Sequence, residues 1–153
     1  MKTLKLYIDT SVIGGYFDPE FEFETKKLFE SVRNQEYDLV LSDVTQRELL
    51  GAPQHVKTLL NDIGLTFETV ETTTEVYALA EDYLNEKVVG RTSTDDCLHI
   101  ALATVYKIDI LVSWNFKHIV NIKRIFGYNS INLRNGYPRL EIRSPKNLID
   151  YEE

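Results

Sequence analysis

Three short apolar runs constrain this chain more than anything else in it. Residues 4–9 end on Asp9, residues 38–42 carry Leu39-Val40-Leu41, and residues 109–113 carry Ile110-Leu111-Val112. A strand with one solvated face alternates polar and apolar residues, and none of these runs does. They read as strands covered on both faces, as in a parallel sheet. Helical periodicity fills the intervals, over about residues 22–34, 44–51, 54–63, 74–86, 94–106 and 115–126. Strands alternating with helices imply crossover connections and helices on both sides of the sheet. The expected fold is therefore α/β, a three-layer α/β/α sandwich around a central parallel sheet.

The remainder fits one domain over residues 1–153. Residues 127–138 hold Gly127, Gly136 and Pro138 and read as loop, residues 139–143 as an edge strand, and Ser144-Pro145 as a helix start with proline at its first position. Hydrophobic residues at 43% and charged residues at 27% are ordinary for a packed domain. No apolar run approaches the roughly 20 residues that span a bilayer, so no membrane role is expected. The N-terminal run is too short for a secretory leader, and lone Cys97 cannot form an internal disulfide. Both features make the cytoplasm the default expectation.

The net charge of −7 argues against a general nucleic-acid coat, yet it is unevenly spread. Residues 1–114 hold 10 Lys/Arg against 20 Asp/Glu, while residues 115–153 hold 7 against 4. The basic final third permits local phosphate contacts, and a solvated surface explains the same charges equally well.

Ligands of an open parallel sheet bind beyond the carboxyl ends of its strands. Asp9-Thr10-Ser11 follows the first strand, a helix carrying Glu48 follows the second, and Ser113-Trp114-Asn115 follows the third. Ser93-Thr94-Asp95-Asp96 opens the helix that precedes that third strand. Asp95 and Asp96 also suit the positive end of a helix, Glu48 suits a solvated helix face, and Asn115 suits an N-cap. Asp9 is harder to explain away, because a carboxylate directly after a buried strand is costly without a cation or hydrogen bonds. For His99, within an apolar helix, the ordinary reading is a satisfied interior residue, and for Trp114 it is packing.

Asp9-Thr10-Ser11, Glu48 within the stretch from Ser42 to Leu50, Asp96 within Asp95-Asp96-Cys97-Leu98-His99, and Leu111-Val112-Ser113-Trp114-Asn115-Phe116 occur in an order that resembles the PIN-domain family, in the branch of bacterial toxin–antitoxin ribonucleases. The resemblance covers nearly the whole chain. It implies Asp9, Glu48 and Asp96 as metal-binding acids, Ser11 as the hydroxyl assisting the first of them, and Asp95 and Ser113 in support. Where the family often has a fourth acid, this chain has Asn115, which weakens the case for a second metal ion. The implied activity is hydrolysis of RNA phosphodiester bonds with Mg²⁺ or Mn²⁺, in keeping with an all-oxygen donor set. The implied partners are RNA, a protein antitoxin and a second copy of the chain. Lys117, His118, Lys123 and Arg124 follow the site segment and are candidates for phosphate contacts. A module with a degenerate, catalytically weak metal site is the competing reading. A phosphoacceptor receiver domain fits worse, because Asp9 stands alone after its strand.

Overall fold

The computed structural model describes residues 2–149. Its core is a five-stranded sheet, every pairing of which is parallel. Strand β1 (Leu4–Ile8) lies at its centre. From its end the chain turns directly into α1 (Thr10–Gly15), then α2 (Glu22–Arg33), and re-enters the sheet as β2 (Tyr37–Ser42). Helices α3 (Asp43–Leu49), α4 (Gln54–Lys57) and α5 (Leu59–Asp62) lead to β3 (Glu68–Val70). Helices α6 (Thr74–Asn85) and α7 (Thr94–Val105), with a 3-10 turn at Arg91–Ser93 between them, lead to β4 (Ile110–Val112). Helix α8 (Ile122–Arg134) and β5 (Glu141–Arg143) complete the sheet, and Pro145–Asn147 forms a last 3-10 turn.

The strand order is β3-β2-β1-β4-β5. The chain thus winds outward from β1 to one edge and then crosses to build the other, which makes the β1/β4 boundary the switch point where such sheets form clefts. Successive strand residues face opposite layers. Leu6, Ile8, Leu39, Leu41, Ile110 and Val112 join Leu28, Phe29 and Leu60 in one core. Tyr7, Val40 and Leu111 join Leu79, Ile100, Leu102 and Tyr128 in the other. This is the three-layer sandwich expected from the sequence.

Two expectations about elements need correction. The helix expected over residues 115–126 begins only at Ile122 and runs on to Arg134, so residues 127–138 are not chiefly loop. Asn115 caps a single turn, its Oδ1 accepting from the backbone N–H groups of Lys117 (3.2 Å) and His118 (2.9 Å). Asn121 then takes an extended conformation and its side chain caps α8 by accepting from Arg124 N. Gly127 lies inside that helix, where a Cβ would meet Val88 Cγ1 at 2.8 Å. The glycine thus marks a close approach and not a break. The helix expected over residues 54–63 divides at Thr58 into α4 and α5. Two short elements, α1 and β3, carry no clear periodicity in the sequence.

Three helices end alike. Gln35, Lys87 and Lys107, just beyond α2, α6 and α7, have φ of 63°, 57° and 55°. Glycine is the usual residue at such positions, since a Cβ there costs about 1 kcal/mol or more. Lys107→Gly is expected to stabilise the fold by about 0.5–1 kcal/mol, measured by denaturant unfolding. A loss of stability would mean that the lysine side chain contributes more than the strain costs.

Candidate active site

Asp9, the residue immediately after β1, lies at the switch point and is only 5% exposed. Its carboxylate accepts from Ser11 Oγ at 2.6 Å and from Ser113 Oγ at 2.7 Å. Those hydroxyls are themselves fixed: Trp114 N–H donates to Ser11 Oγ and Asn115 N–H to Ser113 Oγ, both at 2.9 Å. The segments after β1 and β4 are therefore tied to each other through the carboxylate they surround. Trp114 fills the space behind, stacked on Phe21 at 4.2 Å and donating to Thr25 Oγ1 at 2.9 Å. Gly15 is small for this reason, as a Cβ there would lie 2.7 Å from Trp114 Nε1. Packing is the role of Trp114.

Glu48, in the last turn of α3, accepts from Thr10 Oγ1 at 3.0 Å and from His99 Nε2 at 2.6 Å. The other imidazole nitrogen of His99 shares a hydrogen bond of 2.6 Å with Tyr7 OH, which shares another of 2.6 Å with Ser42 Oγ. Ser42 in turn caps α3 by accepting from Thr45 N. A buried chain, Ser42–Tyr7–His99–Glu48, thus connects the two ends of α3 through the centre of the sheet. His99 is 1% exposed, the interior residue expected, but it is also a contact of a site carboxylate. It stands three positions after Asp96 on α7, a spacing that places both on one helix face.

Asp96, in the first turn of α7, accepts from Asn115 Nδ2 at 3.3 Å and lies 3.4 Å from His118 Nδ1. Asp95 turns to Arg47 at 2.9 Å, on the exposed side of the same turn. Lys117 and Lys123 are exposed, and the guanidinium of Arg124 donates to Val88 O. The structure therefore gathers Asp9, Ser11, Ser113, Asn115 and Asp96 into one hydrogen-bonded group, with Glu48 beside it. Tyr7, Thr10 and His99 are the members that the sequence did not single out for the site.

The electrostatics are those of crowded carboxylates. Burial pushes Asp9 above the ordinary carboxylate range, against the pull of His99 and the two serine hydroxyls. Asp96 is raised too, by burial and by the charges of Asp9 and Glu48, against the pull of His99 and His118. Burial acts on Glu48 in the same sense, but the bond from His99 and its charge hold it below the usual range. Burial would lower His99, yet the bond to Glu48 and the charges of Asp9, Glu48 and Asp96 raise it. Burial pushes the Cys97 thiol up to about 12, so it is no nucleophile.

Among the described residues, no Lys or Arg pairs with Asp9, Glu48 or Asp96. Nor do three Asp, Glu, His or Cys side chains there already converge as the ligands of one ion. The donor chemistry nonetheless fits a hard divalent cation. Asp9 and Asp96 both favour neutralisation, the donors are oxygens, and no thiolate or neutral imidazole set competes for a softer metal.

A family model for the PIN domain matches residues 6–118, well over half of the sequence and all of this site. The chain belongs to the PIN-domain family. No curated protein matches its sequence at a significant level. Solved structures are similar to this PIN domain in fold. The VapBC2 assembly of Rickettsia felis, bound to a DNA fragment from its promoter, contains a chain that is 15% identical with a TM-score of 0.56 over 92% of this chain and 98% of that one. FitAcB of Neisseria gonorrhoeae is 16% identical, with a TM-score of 0.57 over 94% and 99%. VapC20 of Mycobacterium tuberculosis, a toxin that cleaves the sarcin-ricin loop, is 13% identical, with a TM-score of 0.57 over 73% and 91%.

Proposed function

We propose that this PIN domain is a metal-dependent endoribonuclease and the toxin of a toxin–antitoxin pair. The observation that carries the reading is the buried Asp9 carboxylate at the β1/β4 switch point, with Glu48 and Asp96 close enough to feel its charge. Asp9, Glu48 and Asp96 would hold one Mg²⁺ or Mn²⁺, with Asp95 directed to Arg47 on the exposed side of its turn and away from them. Such an ion supplies the Lewis acidity that activates water and offsets phosphate charge. Ser11 and Ser113 fix the Asp9 oxygens, and Thr10 and His99 orient Glu48. Asn115 and His118 border Asp96 with hydrogen-bond donors suited to a phosphoryl oxygen. Lys117, Lys123 and Arg124 supply positive charge beyond them. The toxin–antitoxin setting of the similar structures supports a protein antitoxin as partner, and a homodimer and a cytoplasmic location belong to the same reading.

Mn²⁺ at about one hundred times its dissociation constant should stabilise the protein by about 2.7 kcal/mol. That corresponds to roughly 5–10 °C in melting temperature for a chain of this size. RNA cleavage should appear with the metal and vanish with a chelator. Cleavage that persists in chelator would overturn the metal-dependent reading. One observation favours the weaker alternative, a binding module: the Asn115 amide is spent on Asp96 and on its own turn, which leaves no oxygen free for an ion. Calorimetric silence toward millimolar Mn²⁺ would select that alternative.

A further inference from the structure

A cavity of about 540 Å³ opens between the end of α6, the 3-10 turn before α7 and the first turn of α8. Lys87, Arg91 and Arg124 line it together with Leu84, Asn85, Val89 and Gly90, and no acidic side chain does. In a chain of net charge −7, three cations around one concave surface are a local inversion of sign.

Two chain segments connect this cavity to the candidate active site. Arg91 opens the turn that runs into α7 and Asp96, and five residues of helical rise place it about 8–10 Å away along the backbone. On the far wall, Arg124 lies in the first turn of α8, just beyond the turn that brings His118 to Asp96. Tyr128 of the same helix fixes that turn by donating to His118 O at 2.8 Å.

The cations are arranged to bind. Arg124 is braced against the Val88 carbonyl. Arg91 donates to Asn85 Oδ1 at 2.8 Å and pairs with Glu81 at 2.9 Å. That pair is exposed on both sides and readily exchanged for a phosphate. Among the described residues no carboxylate pairs with Lys87. We propose that the Lys87–Arg91–Arg124 cavity holds backbone phosphates of the single-stranded RNA segment flanking the cleaved bond. This rests on the ribonuclease reading and adds to it a subsite: the acids at the switch point repel a polyanion, and this cavity offsets the repulsion.

The test is binding of a fluorescein-labelled, single-stranded RNA oligonucleotide to the whole chain in chelator, where nothing is cut, followed by anisotropy across a salt series. Lys87→Gly removes one cation and also relieves a positive φ, so its melting temperature should rise by a few degrees while RNA binding weakens. Lys107→Gly removes the same charge and the same strain beyond the far end of α7, a helix about 18 Å long whose first turn adjoins the cavity, and should leave affinity unchanged. Lys87→Gly combined with Arg91→Ala should weaken binding about tenfold and reduce the log–log salt slope by roughly 1.4, as two lost phosphate contacts require. If native protein binds and Lys87→Gly binds equally well, or no worse than Lys107→Gly, the cavity is not the subsite. If native protein does not bind RNA in chelator, the cavity is not the subsite, and cleavage by the same preparation in Mn²⁺ then decides the ribonuclease reading separately.

Discussion

Asp9→Asn is expected to slow the proposed RNA cleavage about a thousandfold and at the same time to raise the melting temperature of the metal-free protein. The amide keeps the shape of the carboxylate: one serine hydroxyl still donates to its oxygen, and the other can reverse to accept from its new N–H₂. What disappears is the negative charge at the switch point. Losing about 4 kcal/mol of transition-state stabilisation slows cleavage about a thousandfold. Stability moves the other way because burial already disfavours the ionised group. Rates of oligonucleotide cleavage and a thermal melt in chelator check both halves. Cleavage retained at the native rate would remove Asp9 from the site, and a fall in melting temperature would mean that its hydrogen bonds outweigh its burial.

The pH dependence follows from the same carboxylates. Asp9 and Asp96 have folded values raised above their unfolded ones, so the stability they contribute is present in acid and lost as pH rises through the folded values. His99 is raised from 6.5, and its contribution is whole below that pH and lost as pH rises through its folded value. Glu48 acts in the opposite sense: its lowered value contributes above 4.5, and the contribution is lost as pH falls through the folded value. The chelated protein should therefore melt at progressively lower temperature from mildly acid to alkaline solution, and the decline should be shallower in Asp9→Asn.

The sequence announces those parts of the molecule whose physics is local. β1, β2 and β4 are apolar without alternation because both of their faces are covered, and this alone yields the parallel sheet and the place of its cleft. Asp9 is legible because a carboxylate ending such a strand needs a reason. Other features depend on distant partners. β3 is three residues long with two of them exposed, so it has no apolar run to read. Gly127 looks like a break until Val88 is seen against it, and the helix signal moves accordingly. Asn115 reads as a helix cap, and it does cap, but only one turn. His99 looks like a core residue from its apolar neighbours, because nothing in the chain indicates that Tyr7 and Glu48 meet at its two nitrogens.

Replacing His99 tests that last juxtaposition. His99→Leu is expected to cost about 3–5 kcal/mol, the usual effect of removing one member of a buried charged pair. Leucine fills most of the volume, so the loss comes from Glu48 left half-buried without its donor and from a Tyr7 hydroxyl reduced to one partner. At 2–4 °C per kcal/mol, the melting temperature should fall by roughly 10 °C. Tyr7→Phe removes only a neutral hydroxyl and should cost about 1–3 kcal/mol. Adding Glu48→Gln to His99→Leu should recover part of the loss, because the stranded charge is gone. A His99→Leu protein that melts at the native temperature would show that the strut does not hold α3. If the loss is as expected but Glu48→Gln recovers none of it, the cost lies in the cavity left by the ring and not in the carboxylate. The distinction matters for the proposed catalysis, since α3 is capped by Ser42 and carries Glu48 in its last turn. The imidazole bridges Tyr7 and Glu48 with a hydrogen bond of 2.6 Å on each side, which ties the central strand to that carboxylate.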